Sequence, residues 1–255
     1  MSVSSRIAVQ IYEIQDPKEA EAVAALGVDR IGSVLLSEDR WMVSGIKEAV
    51  RVSKSASIRH SIIALFGALE TLFRVIDFYQ PDILHFCESL VNQYGKPEHW
   101  EKLVGLQATI REAYPELEIM RTVPIPPASW NQRLPILQIT ENFAPTSDCF
   151  LIDTWIDREP VTGFVGITGR PCDWTLAKQL VDASSIPVIL AGGLSPQNVY
   201  DAILATRPQG VDSCTKTNLN DRNGNPIRFK KDLEKLTRFI DEVRRAENYL
   251  AHCAL

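Results

Sequence analysis

The stretch "PVILAGGLSPQNVYDAILATRPQGVDSCTKTN", residues 187–218, holds two short apolar runs on either side of one amphipathic run. Pro187 to Ala191 reads as a buried strand and Gly210 to Cys214 as a second one, each short and rich in branched apolar residues. Between them Ser195 to Thr206 reads as a helix, with Ser195 able to cap free amides and Pro196 suited to a first turn. Two strands joined through a helix lie parallel, because only a crossover of this length returns the chain to the same edge in the same direction.

Working outward, the same alternation runs along the whole chain. Strand candidates precede this stretch at Ile7 to Glu13, Asp29 to Leu36, Ile58 to Phe66, Ile83 to Cys87, Glu118 to Val123 and Cys149 to Thr154. Helix candidates are Pro17 to Leu26, Ser44 to Lys54, Leu69 to Tyr79, His99 to Tyr114, Ala128 to Asn142, Asp173 to Ser184 and, at the end, Lys230 to Leu250. With the quoted stretch this makes eight strands and eight helices. Eight such units close into a (β/α)8 TIM barrel of parallel strands, expected as one domain over residues 1–255. A doubly wound sheet is the competing α/β architecture, but no G-x-G-x-x-G follows the first strand, so the dinucleotide fingerprint is absent.

Composition narrows the function classes. A chain of 255 residues that is 45% hydrophobic can bury a barrel-sized core. Its 27 basic and 32 acidic residues leave a net charge of -5, with no broad positive field for a phosphate backbone, so nucleic acid is not an expected partner. "MSVSSRIAVQ" lacks a secretory signal, and no run approaches the ~18 apolar residues of a membrane span, so no membrane partner and a cytoplasmic location are expected. Five cysteines, none in a C-x-x-C pair, read as reduced thiols and not metal ligands. The terminal "HCAL" places Cys253 one position too late for prenylation. No metal and no organic cofactor is expected.

In a barrel of this kind chemistry lies in the loops after the carboxyl ends of the strands. Three such loops stand out: "GFVGITGRPCDW" (163–174), "LAGGLSPQNV" (190–199) and "VDSCTKTN" (211–218). Glycine lets backbone approach a ligand closely, and successive amides form a concave positive site for an anion. A tight turn ahead of a helix cap accounts for Gly192-Gly193 taken alone. Three glycine- or hydroxyl-bearing loops at one mouth point instead to a phosphorylated small molecule.

In their order, "GITGRPCDW", "ILAGGLSPQNV" and "RPQGVDSCTKTN", followed by "KKDLEKLTRFIDEVR", resemble phosphoribosylanthranilate isomerase, the barrel enzyme of tryptophan synthesis. The resemblance follows element order over the whole chain and is dense in motifs from about residue 148 onward. It implies phosphate contacts from Gly166, Thr168, Gly169, Gly192, Gly193, Cys214 and Thr215, with Arg170 at the family's lysine. Cys214, Thr215 and Lys216 stand where the family has Ser, Ser and Gly. "SEDRWMVS" (37–44) is similar to the loop whose arginine grips the substrate carboxylate, which implies that role for Arg40. His85, Arg121 and Asp212 join it as expected substrate contacts.

The family reaction is an Amadori rearrangement, in which an acid protonates the sugar ring oxygen and a base takes the proton from C2. "FLIDTW" supplies Asp153 at the acid's place, and a carboxyl among apolar neighbours can have its pKa raised for that task. Its bland reading is a structural carboxylate paired with a barrel cation. The family's first strand ends V-K-I-C-G-I-T, with the cysteine as base; here Val9 to Gln15 puts Tyr12 at that place. Lowering a phenol from about 10 to 7 takes on the order of 4 kcal/mol. Strand parity places Gln10 and Tyr12 inside the barrel and turns Val9 and Ile11 to the helices. Glu13 then faces away from the mouth unless a bulge brings it in, where its carboxylate would be a sensible base.

Other proton carriers have sober readings: His85 as support, Cys214 as an inert buried thiol, Lys216 as a solvated charge. The long segments 87–100 and 215–228 are expected to cover the mouth or to touch another subunit, which leaves a homodimer open. Two alternatives to the isomerase stay open. One is a barrel that binds a phosphorylated metabolite without turning it over, favoured by Tyr12. The other is a phosphate-dependent lyase or aldolase using Lys216.

Overall fold

A computed structural model describes residues 6–130 and 132–253. The first five residues of "MSVSSRIAVQ", Asn131 in the fifth helix candidate and the last two residues of "HCAL" lie outside the described residues.

Eight parallel strands close into a barrel: β1 (Ala8–Ile11), β2 (Arg30–Leu35), β3 (Arg59–Ala64), β4 (Ile83–Phe86), β5 (Glu118–Ile125), β6 (Cys149–Thr154), β7 (Val188–Leu190) and β8 (Gly210–Ser213). Closure is made by β1, which pairs with β2 through Gln10↔Arg30 and with β8 through Gln10↔Asp212. The helices between and after them are α1 (Pro17–Ala25), α2 (Ser44–Ser55), α3 (Leu69–Tyr79), α4 (Trp100–Ala113), α5 (Ile136–Phe143), α6 (Trp174–Ala183), α7 (Val199–Thr206) and α8 (Leu233–Cys253). Asp16 caps α1 through the amides of Lys18 and Glu19, ahead of Pro17 as the sequence implies.

Alternate strand residues divide two apolar environments. Val9 and Ile11 join the larger core between strands and helices, whereas Tyr12, Val34, Ile83, Met120, Cys149, Leu151 and Ile189 fill the barrel interior. Burying so much apolar surface on both faces is what makes each strand read as a near-continuous apolar run. At the floor of the barrel, Arg30 donates to Glu118 at 2.9 Å and Arg59 also pairs with that carboxylate.

Three boundaries differ from the expectation. Helix α5 starts at Ile136 and not at Ala128, because Pro126, Pro127 and Pro135 each lack the amide a helix needs and restrict the residue before them. Helix α7 starts at Val199; Ser195 to Asn198 forms a turn in which Asn198 accepts from the Ser195 amide at 2.8 Å and donates to the Gly193 carbonyl at 3.1 Å. The segment after β8 is no open loop. It folds into an antiparallel hairpin, β9 (Asn218–Asn220) with β10 (Pro226–Lys231), turned by Asp221, whose side chain accepts from the amides of Asn223 and Asn225 at 2.8 Å each. Lys230 and Lys231 therefore belong to β10, and α8 begins only at Leu233. Among the described residues no helix is long and apolar enough to cross a membrane.

Candidate active site

The carboxyl ends of the strands surround two adjoining hollows. The larger, about 560 Å³, lies over the barrel interior and is walled by apolar side chains such as Val34, Leu65, Leu151 and Phe164. The smaller, about 310 Å³, lies between the loops after β6, β7 and β8. Asp153, Ile167, Asp212 and Cys214 line both, so a ligand can extend from one into the other.

The smaller hollow is shaped by backbone. Gly192 and Gly193 have φ of 83° and 59°, a region closed to most side-chain-bearing residues. A Cβ on Gly193 would stand 2.6 Å from the Arg170 carbonyl carbon and 2.9 Å from the Gly169 carbonyl oxygen, so the turn after β7 rests directly on the loop after β6. Thr154 ties the same loop down by donating to the Arg170 carbonyl at 2.5 Å. Thr168, Gly169, Gly192, Gly193, Cys214 and Thr215 line this hollow, and Lys216 is the one cation lining it among the described residues. Glycine-lined backbone, the hydroxyls of Thr168 and Thr215 and a single ammonium suit an anion of phosphate size. Ile167 is strained at φ 60°, an uncommon state for a β-branched residue and one concentrated at ligand sites.

Asp153 ends β6 at the junction of the hollows. Burial pushes its carboxyl up to about 6, against the opposing hydrogen bond from the Thr154 amide at 2.7 Å. It forms no salt bridge among the described residues, which removes the reading of a structural carboxylate paired with a barrel cation. A Cβ on Gly166 would lie 2.5 Å from its Oδ2, so Gly166 lines the larger hollow and makes room for this carboxyl instead of facing the smaller one. Asp212 is pushed up to about 8, first by burial and then by the charge of Asp153, although Gln10 donates to it at 3.2 Å. Glu159, in the loop after β6, is raised to about 8 by burial, and its Oε2 has no hydrogen-bond partner among the described residues.

Tyr12 is locked at the top of β1. Its hydroxyl lies 2.5 Å from Ser61 Oγ and 2.7 Å from His85 Nδ1, and His85 Nε2 lies 2.7 Å from Thr122 Oγ1. Four strands are thus joined by one side-chain chain across the barrel. Burial holds the Tyr12 phenol well above its ordinary value, the opposite of what a base requires, and burial lowers His85 to about 3, so the imidazole is neutral. The ring fits because position 32 on β2 is glycine: a Cβ there would fall among the Tyr12 ring atoms.

Glu13 departs from strand parity. Its φ of 67° kinks the chain just past β1 and turns its side chain toward the larger hollow, which it lines. The buried carboxylate accepts from Arg228 Nε at 2.7 Å and Nη2 at 2.6 Å, and from Asn218 Nδ2 at 3.2 Å. Burial alone would raise its pKa, but the charge and hydrogen bonds of Arg228, with Lys231 and Asn218, bring it below the ordinary carboxylate value. Cys214 is close by, and burial with the negative charge of Glu13 and Asp212 pushes its thiol up, Lys231 opposing; it is an inert thiol, as its bland reading had it.

Residues 111–225 match the family model described as N-(5'-phosphoribosyl)anthranilate isomerase. Relatives of that name match along nearly their whole length: one from Methanosarcina acetivorans is 26% identical over 92% of each chain, and one from Thermosynechococcus vestitus is 29% identical over 83% of this chain and 81% of its own. Over most of its length the chain is similar to phosphoribosylanthranilate isomerases. Among solved structures, the phosphoribosylanthranilate isomerase of Thermotoga maritima is similar at a TM-score of 0.66 and 20% identity, covering 94% of this chain and 99% of that one. A thiamine phosphate pyrophosphorylase of Pyrococcus furiosus also superposes, at a TM-score of 0.60 and 12% identity, so structural likeness at this level speaks for the barrel alone.

Two expected substrate contacts line neither hollow. Arg121 is fully buried on the outer face of β5, donating to Gln107 of α4 at 2.6 Å and to Glu88 at 2.7 Å, with its guanidinium over Phe86 and Phe143. The parity that points Met120 and Thr122 inward turns Arg121 outward, so it braces strands against helices. Arg40 is exposed on a one-turn 3-10 helix, Glu38–Arg40, and lines neither hollow. His85 and Asp212 do line the larger one. Segment 87–100 is pinned to the loop after β6, the Ser89 amide donating to the Gly163 carbonyl at 2.8 Å, and its first residue, Cys87, lines the larger hollow. The sequence carried no signal for the Glu13 partners: Arg228 lies in a segment with no motif, Asn218 closes the "VDSCTKTN" run without any mark of this contact, and each is over 200 positions from Glu13.

Proposed function

We propose that the chain isomerises N-(5'-phosphoribosyl)anthranilate, acting in the cytoplasm as a single barrel domain, with its phosphate held between Gly169, Gly192, Gly193 and Thr215 and its charge met by Lys216. The observation that carries the reading is a pair of carboxyls at one hollow whose surroundings drive them apart, Asp153 upward and Glu13 downward. Such a divergence assigns acid and base. Asp153 gives its proton to the ring oxygen as the C1–O bond opens, and the anilino nitrogen supplies electrons to C1. Glu13 then takes the proton from C2, and the resulting enolamine relaxes to the ketose. Tyr12 takes no part in proton transfer; it packs where the family carries its thiol, and the base sits one residue later, on the kinked strand end. The apolar wall of the larger hollow suits the aromatic half of the substrate.

A fluorescence assay with phosphoribosylanthranilate tests this. Turnover that survives Tyr12→Phe but is lost in Asp153→Asn and Glu13→Gln supports it; turnover intact in Glu13→Gln rejects the base assignment. The locked Tyr12 favours one competing reading, a barrel that binds phosphorylated ligand without turning it over. Phosphate binding with no turnover in the wild type would select that reading. A second subunit is not required by either hollow, and a homodimer rests on comparison alone: one structural relative is described as a dimeric phosphoribosylanthranilate isomerase.

A further inference from the structure

The hairpin after β8 reaches back over the end of β1 at one place. Arg228, on β10, puts two nitrogens of its guanidinium on a single oxygen of Glu13, and Asn218, on β9, donates to the other oxygen. Glu13 is otherwise an unfavourable residue for its position: it has a left-handed backbone and a nearly inaccessible carboxylate. A charge so placed persists only when surrounding structure over-determines it. We propose that the β9–β10 hairpin is part of the active site, with Arg228 as the positioning residue that keeps the Glu13 carboxylate charged and turned to the hollow.

This rests on the reading of Glu13 as base and deepens it. A carboxylate held by two guanidinium nitrogens cannot rotate away from the hollow, and the arginine's charge cancels the penalty of burying it. The other groups facing Glu13 are Lys231 on β10, the Cys214 thiol after β8 and Glu19 on α1. Lys231 is tied up by donating to the Cys214 carbonyl at 3.0 Å and to Asn218 at 2.5 Å, so it stabilises the hairpin base and cannot replace Arg228. Phe229 beside Arg228 has φ 60° and its ring lies under the guanidinium, 4.6 Å from centroid to carbon, which fixes the arginine's approach.

The expected consequence is a change in pH dependence as well as in rate. With Arg228→Met, burial is no longer offset and Glu13 holds its proton to higher pH. The acid limb of kcat/KM then shifts upward by a unit or more, a loss of tenfold or greater at pH 5 that shrinks toward neutrality, while Arg228→Lys restores part of it. A uniform loss at every pH, with the limb unmoved, would overturn the proposal and leave the arginine a mere tie between hairpin and barrel. Binding of inorganic phosphate, expected unchanged, shows that the variant barrel is intact. Carbon-13 titration of the Glu13 carboxyl separates this idea from the assigned reaction: an upward move in Arg228→Met supports it even in a protein without turnover, and an unmoved titration rejects it even in an active one.

Discussion

The loops after β6, β7 and β8 hold their shape through backbone, whereas the end of β1 holds its shape through side chains. At the first place glycines at positive φ let three loops rest on one another, leaving a hollow of amides, threonine hydroxyls and one ammonium that meets the larger hollow at Asp153 and Asp212. At the second, Tyr12 is clamped by Ser61 and His85 and Glu13 by Arg228 and Asn218, so each functional group depends on partners from distant strands. The proposed phosphate site, being built of backbone, should tolerate changes such as Cys214-Thr215-Lys216 for Ser-Ser-Gly, since amides remain whatever side chains they carry. A side-chain-built site has no such latitude, and there the whole arrangement differs from the family's pattern.

The largest expected effect comes from removing either carboxyl at the junction. Asp153→Asn or Glu13→Gln should lower kcat/KM by about 10²- to 10⁴-fold, with phosphate affinity retained; parallel loss of phosphate binding would show that the two regions are not separable. Striking the other region gives the converse. Gly193→Ala places a methyl against the Arg170 and Gly169 backbone in a left-handed turn, so phosphate binding should fall at least tenfold by calorimetry, with a stability loss of about 1–3 kcal/mol.

Tyr12→Phe should act on stability more than on catalysis. It strands His85 Nδ1 and Ser61 Oγ in the barrel, costing about 1–3 kcal/mol in denaturant unfolding, while kcat stays within a few-fold. A collapse of kcat at unchanged stability would return Tyr12 to the chemistry.

The smallest effect concerns the pH dependence of folding. Asp153 has a folded pKa of about 6, above its ordinary 3.8, so the folded state holds the proton more tightly and loses stability as pH rises between those values. Asp153→Asn should therefore raise the melting temperature at pH 7 and give little gain at pH 4. An equal gain at both would mean the carboxyl is not perturbed.

Much of the site was legible because strand parity is strict. Gln10, His85, Asp153 and Asp212 face inward as period-two alternation requires, and the glycine loops announce themselves by composition. The same parity assigns Arg121 to the outside, where its charge is compensated by Glu88 and its plane by two phenyl rings. Glu13 escaped parity because a single dihedral, φ of 67°, reverses its direction, and no neighbouring glycine or proline marks that kink.

By itself the sequence determined the barrel and its closure by eight strand–helix units, and it singled out the three loops of the proposed phosphate site, since these follow from periodicity and local turn chemistry. The tertiary structure decided which carboxyl is held below its ordinary pKa and which are pushed above it. Those shifts depend on burial and on partners brought from β8, β9 and β10 to the end of β1, and a charge's environment is a property of space that chain order does not encode locally.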